Sequence, residues 1–208
     1  MSSLPNNAFR RYDETPDDQF YQTPRLVTHI DDNAIAAVTQ LYREYFPAGG
    51  VILDLMSSWV SHLPAEIAYS RVAGLGMNAE ELAANPRLTD WHVQDLNAHA
   101  PLPYGASEFD GAGCCVSVQY LTQPEAVFRA IARVLRPGAP FVVTFSNRCF
   151  PTKAIRGWLA TDDAGHVRIV RRYFELTHGF GAPSSDLRTD PYAGGDPLYA
   201  VWAPKVAS

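Results

Sequence analysis

The stretch FDGAGCCVSVQYL (residues 109–121), followed by ARVLRPGAPFVV (residues 132–143), decides how this chain is expected to fold. Its first piece carries a short apolar run. A segment with apolar residues at helical spacing, from Pro124 to Leu135, follows it, and Pro137-Gly138 ends that helix. The next apolar run, Pro140 to Phe145, has the length of a buried strand. A strand, a helix and a second strand in this order indicate a βαβ unit with parallel strands.

The same alternation continues on both sides of this unit. Apolar runs predict further strands at 51–55, 71–76, 91–95 and 198–203, and helical patterns occur at 31–45, 64–69, 78–85 and 166–176. Right-handed crossovers then predict an α/β fold with a doubly wound sheet. Residues 1–30 are polar at first and rich in Pro and Asp, and we interpret them as an arm or lid on a single domain at 31–208.

Composition excludes several classes of function. The net charge is −5 and no run of Lys or Arg occurs, so no nucleic-acid partner is expected. No apolar stretch is long enough to span a membrane, and the first residues lack the features of a signal peptide. The three cysteines are odd in number, and the chain has no CxxC or HxxxH, so we expect reduced thiols, no metal site and a cytoplasmic location.

The two motifs at 109–121 and 132–143 resemble the class I S-adenosylmethionine (SAM)-dependent methyltransferases, in their small-molecule type 11 branch. In that family, the first motif is FD followed by an apolar strand and (H/Y)L. A helix follows, and the second motif is RVL(K/R)PGG followed by a strand. Gly179-Phe180 and the final strand with Trp202 match as well, so the resemblance covers about residues 45–203. It implies SAM as cofactor and a Rossmann-like, seven-stranded, mostly parallel sheet whose last strand is antiparallel. The string from Asp13 through the Asp54 loop also resembles a subgroup of methyltransferase-like proteins from bacteria and plants.

The cofactor loop of this chain departs from the family pattern. The family follows its first strand with an acidic residue and a glycine-rich loop; here Asp54 is followed by Met56, Ser57 and Ser58. Without glycine, a positive φ costs more and side chains crowd the cleft. Two interpretations stay open: the loop binds SAM along an altered path, with Ser57 and Ser58 donating to a carboxylate, or the site is degenerate.

Three other segments match cofactor positions of the family. The family places an Asp or Glu at the end of its second strand to accept the ribose hydroxyls. The resemblance assigns Met77-Asn78 to that position, although Asn78 is equally suited to cap the following helix. It assigns Asp95 and Leu96 to the adenine, where the alternative for Asp95 is a turn residue. It assigns Cys115, Val116 and Ser117 to the methionine amine. We interpret Cys114 and Cys115 as core thiols rather than nucleophiles, because no His lies near them in sequence.

Candidates for the reaction itself lie on both sides of the cofactor segments. In the family, a Tyr and an Arg ahead of the first strand often fold over the cofactor, so Tyr21 is a candidate lid and Arg25 a candidate partner of the SAM carboxylate. A surface ion pair of Arg25 with Asp17 or Asp18 is the alternative. His29 is the candidate general base, or else a simple helix-entry residue. Tyr120 is expected at the methyl-transfer mouth.

The segment after the fifth strand supplies candidate substrate residues. Asn147 and Arg148 are predicted to bind an anionic or carbonyl-bearing substrate, and Lys153 and Trp158 to form a wall of the site; a capped amphipathic helix is the alternative.

Taken together, these residues predict a SAM-dependent methyltransferase that acts on a small molecule and works as a monomer or homodimer. One alternative is a non-catalytic protein that binds SAM or a partner through the same cleft. A nicotinamide oxidoreductase is a weaker alternative, because GxGxxG is missing after the first strand.

Overall fold

A seven-stranded sheet forms the centre of the protein in a computed structural model that describes residues 6–190, 192 and 194–207. The strand order is β3-β2-β1-β4-β5-β7-β6. Strands β1 to β5 are parallel, and β7 runs antiparallel to both β5 and β6. The strands are β1 (Val51–Ser57), β2 (Arg71–Gly76), β3 (Asp90–Val93), β4 (Gly111–Cys115), β5 (Pro140–Phe145), β6 (Ser184–Leu187) and β7 (Tyr199–Pro204).

Helices pack on both faces of this sheet. They are α1 (Asp17–Phe20), α2 (Asp32–Tyr45), α3 (Ala79–Ala84), α4 (Pro124–Val134), α5 (Arg156–Leu159) and α6 (Asp163–Thr177). Phe128 of α4 and Phe174 of α6 pack against Phe141 on one face, while Val38 and Tyr42 of α2 belong to a second core on the other. Two apolar cores on opposite faces confirm the doubly wound α/β fold.

Several local predictions are confirmed by the backbone. Strands β2 and β5 have the predicted bounds, and the Asp31 side chain caps α2 by accepting from the backbone N–H of Ala34. Strand β7 runs antiparallel, as the family resemblance implied. Within the described residues, no helix is long and apolar enough to cross a membrane.

One local prediction is wrong, and one strand was missed. Residues 64–69 form a turn and irregular backbone instead of a helix. Strand β6 was not predicted, because Ser184–Leu187 is a polar, largely exposed edge strand without an apolar pattern.

The predicted N-terminal arm is fixed to the domain by buried charges. The Lys153 ammonium is fully buried; it donates to the Thr15 carbonyl oxygen at 2.7 Å and lies 3.2 Å from carboxylate oxygens of both Asp13 and Asp17. Arg11 also donates to the Asp17 carboxylate at 2.7 Å. The described part of the arm is therefore packed against the segment after β5, while residues 1–5 lie outside the described residues.

Candidate functional site

A cavity of 750 Å³ opens at the carboxyl ends of the parallel strands, between the sheet and the N-terminal arm. The strand order reverses there, because β1 lies between β2 and β4, and such a reversal is where open α/β sheets bind ligands. Its volume is in the range of small-molecule sites. The predicted cofactor, catalytic and substrate residues line this cavity, with the exception of Asn78 and of the two predicted wall residues Lys153 and Trp158.

The glycine-free loop turns at Met56, which has a φ of +56°. The register between β1 and β2 shifts between Leu55 and Ser57, so that Ser57 pairs with Gly76. A non-glycine residue in the left-handed region costs about 1 kcal/mol or more, which the surrounding packing must offset. The loop therefore makes the turn that glycine makes in the family, with the Met56 side chain packed against the core.

The Asp54 carboxylate lies buried beneath this loop. The hydroxyls of Ser57 and Ser61 each donate to its Oδ2 atom at 2.6 Å, and Asn85 donates to the Ser61 hydroxyl at 2.8 Å. Burial raises the pKa of Asp54 to about 6, against the opposing effect of the two hydroxyl donors. Asp54 is thus an anion at neutral pH that titrates in mildly acidic solution.

The loop serines donate to protein carboxylates. The Ser57 hydroxyl donates to Asp54, and the Ser58 hydroxyl donates to Glu81 at 2.6 Å. The prediction that these two hydroxyls donate to a ligand carboxylate is therefore wrong for this structure, because each hydroxyl has one proton and donates it elsewhere.

Asn78 caps α3 and does not reach the cavity. Its Oδ1 atom accepts from the backbone N–H groups of Glu80 and Glu81, and its Nδ2 atom donates to the carbonyl oxygens of Tyr21 and Gln22. The capping alternative is confirmed. The ribose assignment is corrected, since both polar atoms are engaged by the protein; β2 already ends at Gly76, two residues earlier.

Asp95 follows β3 and forms a turn at the cavity wall. Its Oδ1 atom accepts from the backbone N–H of Asn97 at 2.8 Å, which is the geometry of the turn alternative. Leu96 is buried beside it, and both residues line the cavity. Asn97 donates to the Tyr120 carbonyl oxygen at 2.9 Å, so it links this turn to the segment that follows β4.

The end of β4 contributes backbone and small side chains. Val116 has a φ of +43°, and the Ser117 hydroxyl donates to the Cys115 carbonyl oxygen at 3.0 Å. Cys114 is buried in the core, while Cys115 is half-buried at the cavity. Burial raises the pKa of both thiols to about 12, so both are protonated at neutral pH.

Aromatic rings and a guanidinium close the cavity on the side of the arm. The Arg25 guanidinium lies 4.6 Å from the centroid of the Phe20 ring and donates to the Phe20 carbonyl oxygen at 2.9 Å. Asp17 pairs with Arg11 and Lys153 instead, so the alternative of a surface ion pair between Arg25 and Asp17 does not hold. Burial raises the pKa of Tyr21, which is therefore neutral.

His29 and Tyr120 both line the cavity and both pack against Phe150. The His29 ring packs edge-on against Phe150 with 5.3 Å between centroids, and desolvation lowers its pKa, so the imidazole is neutral at pH 7. The Tyr120 hydroxyl accepts from the backbone N–H of Phe150 at 2.8 Å. Asn147 and Arg148 are exposed at the mouth.

Two predicted wall residues lie elsewhere. Lys153 is part of the buried charge cluster with Asp13 and Asp17, and Trp158 packs in the core, where its ring stacks on His166 at 3.9 Å. Neither lines the cavity. Glu81, which was not among the predicted site residues, does line the cavity. It is buried on α3 and lies beside Ser58. In the sequence it is only one of two acidic residues in the first turn of a predicted helix.

Comparison with known proteins agrees with this geometry. Residues 56–143 match a family model described as a methyltransferase domain. The cyclase SpnF has a similar structure, with a TM-score of 0.61, 17% identity and 92% of each chain covered. A methyltransferase from Mesorhizobium loti gives a TM-score of 0.54 and 18% identity, over 81% of this chain and 98% of that one. No curated protein sequence matches the chain.

A third similar structure is the complex of the Haloferax volcanii methyltransferase activator with its methyltransferase, with a TM-score of 0.60, 15% identity, and coverage of 85% of this chain and 92% of that one. Residues 56–143 thus match a methyltransferase domain, and the chain shares the fold of SAM-dependent methyltransferases, which supports SAM as the cofactor.

The residues of the cavity fit this cofactor. Neither Met56 nor Trp59 fills the space, because Met56 packs against the core and the Trp59 indole N–H donates to the Val27 carbonyl oxygen at 3.0 Å. The lining offers a guanidinium at Arg25 and carboxylates at Asp54 and Asp95, which complement the carboxylate, amine and adenine amino group of SAM.

Proposed function

We propose that the protein transfers the methyl group of SAM to a small molecule that binds at the mouth of the cavity. The observation that carries this proposal is the cavity itself, which lies at the strand-order reversal and is lined by Asp54 of β1, Asp95 after β3 and Arg25 of the arm. We assign Arg25 to the carboxylate of SAM, Asp95 and Leu96 to the adenine, and Met77 with Cys115, Val116 and Ser117 to the remaining wall.

The acceptor would bind between the arm and the segment after β5. When bound, SAM supplies an activated methyl group that an acceptor takes by in-line displacement. The protein aligns the acceptor and excludes water, and proximity and desolvation carry most of the rate enhancement. Tyr21 and Tyr120 are neutral walls of this mouth, and Asn147 and Arg148 offer polar contacts to a carbonyl-bearing or anionic acceptor.

His29 is the proposed general base. It lines the cavity, and its lowered pKa leaves the imidazole free to accept a proton from the acceptor at pH 7. The packed arm and the net charge of −5 favour a small acceptor over nucleic acid. A cytoplasmic location is supported by three free cysteines among the described residues. A monomeric or homodimeric state stays a prediction.

Calorimetry with SAM and S-adenosylhomocysteine tests the cofactor step directly. We expect saturable binding of both, and about tenfold weaker binding in Asp95→Ala, because a charged acceptor is lost. Asp18→Ala, at an exposed carboxylate outside the cavity, is the matched control and should bind as the unaltered protein does. Binding that is undetectable at millimolar SAM would remove the proposal.

A non-catalytic role is the second candidate. It is favoured by the loop, where Ser57 and Ser58 donate to protein carboxylates. It predicts that SAM binds but that no acceptor is methylated, or that a partner binds in the same cleft. A screen of small acceptors for formation of S-adenosylhomocysteine separates the two candidates.

A further inference from the structure

We propose that Glu81 accepts the ribose hydroxyls of the bound cofactor, in place of a carboxylate at the end of β2 that the backbone excludes. This assignment rests on the proposed binding of SAM in the cavity. It concerns a residue that lies on a helix, outside every segment that the family resemblance pointed to.

The end of β2 has no room for a side chain. A Cβ built at Gly76 would lie 2.2 Å from the carbonyl oxygen of Ser57, far inside contact distance. This closeness follows from the shift in register that pairs Ser57 with Gly76. The backbone of the glycine-free loop therefore occupies the space that an acidic side chain at position 76 would need.

Glu81 places a carboxylate at the same wall of the cavity. It is buried on α3 and lines the cavity together with Gly76, Met77 and Ser58. Its two oxygens are held by different elements: Oε1 accepts from the backbone N–H of Arg25 at 2.7 Å, and Oε2 accepts from the Ser58 hydroxyl at 2.6 Å. The arm, the loop and α3 thus fix its orientation together.

The hydrogen-bonding capacity of Glu81 is only partly used by these contacts. A carboxylate has about four acceptor positions. The Arg25 N–H and the Ser58 hydroxyl occupy one acceptor position on each oxygen, which leaves about two acceptor positions unused. Vicinal ribose hydroxyls offer two donors, so a diol complements what is left. Bonds from hydroxyls to a charged acceptor are also the stronger kind.

The experiment compares two ligands in matched variants by calorimetry. The ligands are S-adenosylhomocysteine and its analogue that lacks both ribose hydroxyls. In the unaltered protein, the analogue should bind about 10- to 100-fold more weakly, which corresponds to one or two lost hydrogen bonds to a charged group. In Glu81→Gln, S-adenosylhomocysteine should weaken toward the level of the analogue, while the affinity for the analogue changes little.

Controls separate recognition of the diol from support of the loop. Glu80→Gln alters the neighbouring, exposed carboxylate and should leave both affinities unchanged. Glu81→Asp retains the carboxylate but shortens the side chain by one methylene, so this variant should lose part of the discrimination between the two ligands. It also replaces Glu81→Gln as the test variant if Glu81→Gln does not fold.

Equal weakening of both ligands in the Glu81 variants, or no discrimination by the unaltered protein, would overturn the assignment while leaving SAM binding intact. If the unaltered protein binds neither ligand, the proposed function itself fails.

Discussion

The carbonyl oxygen of Ser57 lies 2.2 Å from where a Cβ at Gly76 would be, so the end of β1 and the end of β2 can adopt this register only with glycine at position 76. The turn at Met56 depends on this close approach. The position that requires glycine in this chain is therefore at the end of β2, next to the cofactor loop.

Gly76→Ala is therefore expected to destabilise the protein by about 2 kcal/mol or more, since the added methyl group meets backbone that cannot rotate away. The measurement is urea unfolding followed by circular dichroism. Gly181→Ala is the matched control: the nearest atom to its added Cβ lies at 3.4 Å, an ordinary contact, so a change within about 0.5 kcal/mol is expected. Equal effects of the two substitutions would show that the close approach does not constrain the strand.

The buried charge cluster gives a second prediction. Lys153→Met removes a fully buried ammonium and leaves Asp13 and Asp17 without that partner, so a loss of about 3 kcal/mol or more is expected. The described arm should also become more sensitive to limited proteolysis, because the Thr15 carbonyl loses its donor.

Arg168→Met is the control for that experiment. Arg168 is 71% exposed and its contact with Asp162 spans 3.8 Å, so the change should stay within about 0.5 kcal/mol. An arm that resists proteolysis in Lys153→Met as well as in the unaltered protein contradicts the role given to the cluster.

Much of the fold could be predicted from sequence because its signals are local. Strands β2 and β5 are continuous apolar runs, as strands buried on both faces must be, and α4 shows one apolar face. Strand β6 has no such pattern, because it pairs only with β7 at the edge of the sheet and its side chains face solvent. Its existence depends on the antiparallel partner rather than on its own residues.

The candidate site was predictable where the family resemblance covers it. The resemblance assigned Asp54, Asp95 and Cys115, which lie within β1, after β3 and at the end of β4, and all three line the cavity. Glu81 was not predictable in this way, because it reaches the cavity from a helix through a contact with Ser58, 23 residues away. Lys153 was misplaced for a related reason: its charge suggested a site wall, but its partners belong to an arm 138 residues earlier in sequence.

Asp54 gives a prediction on pH and stability. Its pKa is raised from 3.8 to about 6 in the folded protein, so the folded state binds more protons than the unfolded state between these values. Stability should therefore fall as pH rises from about 4 to about 6, by about 3 kcal/mol from this group. In Asp54→Asn, the free energy of unfolding measured between about pH 4 and pH 6 should no longer show this decrease. Asp32→Asn, at an exposed carboxylate, should not remove it. A slope that persists unchanged in Asp54→Asn would mean that another group titrates.

His29 gives the prediction that bears most directly on the reaction. Desolvation lowers its pKa below 6.5, and an imidazolium cannot accept a proton, so kcat for methyl transfer should rise with pH through that lowered pKa and then level off. His29→Asn should reduce kcat by about 100-fold and abolish the rise of kcat with pH, which is the acidic limb of the pH profile. Calorimetry should still show that this variant binds S-adenosylhomocysteine. His99→Asn, at an exposed histidine outside the cavity, should retain both the rate and the limb. If the limb survives in His29→Asn, the proton goes to another acceptor and His29 serves only as a wall beside Phe150.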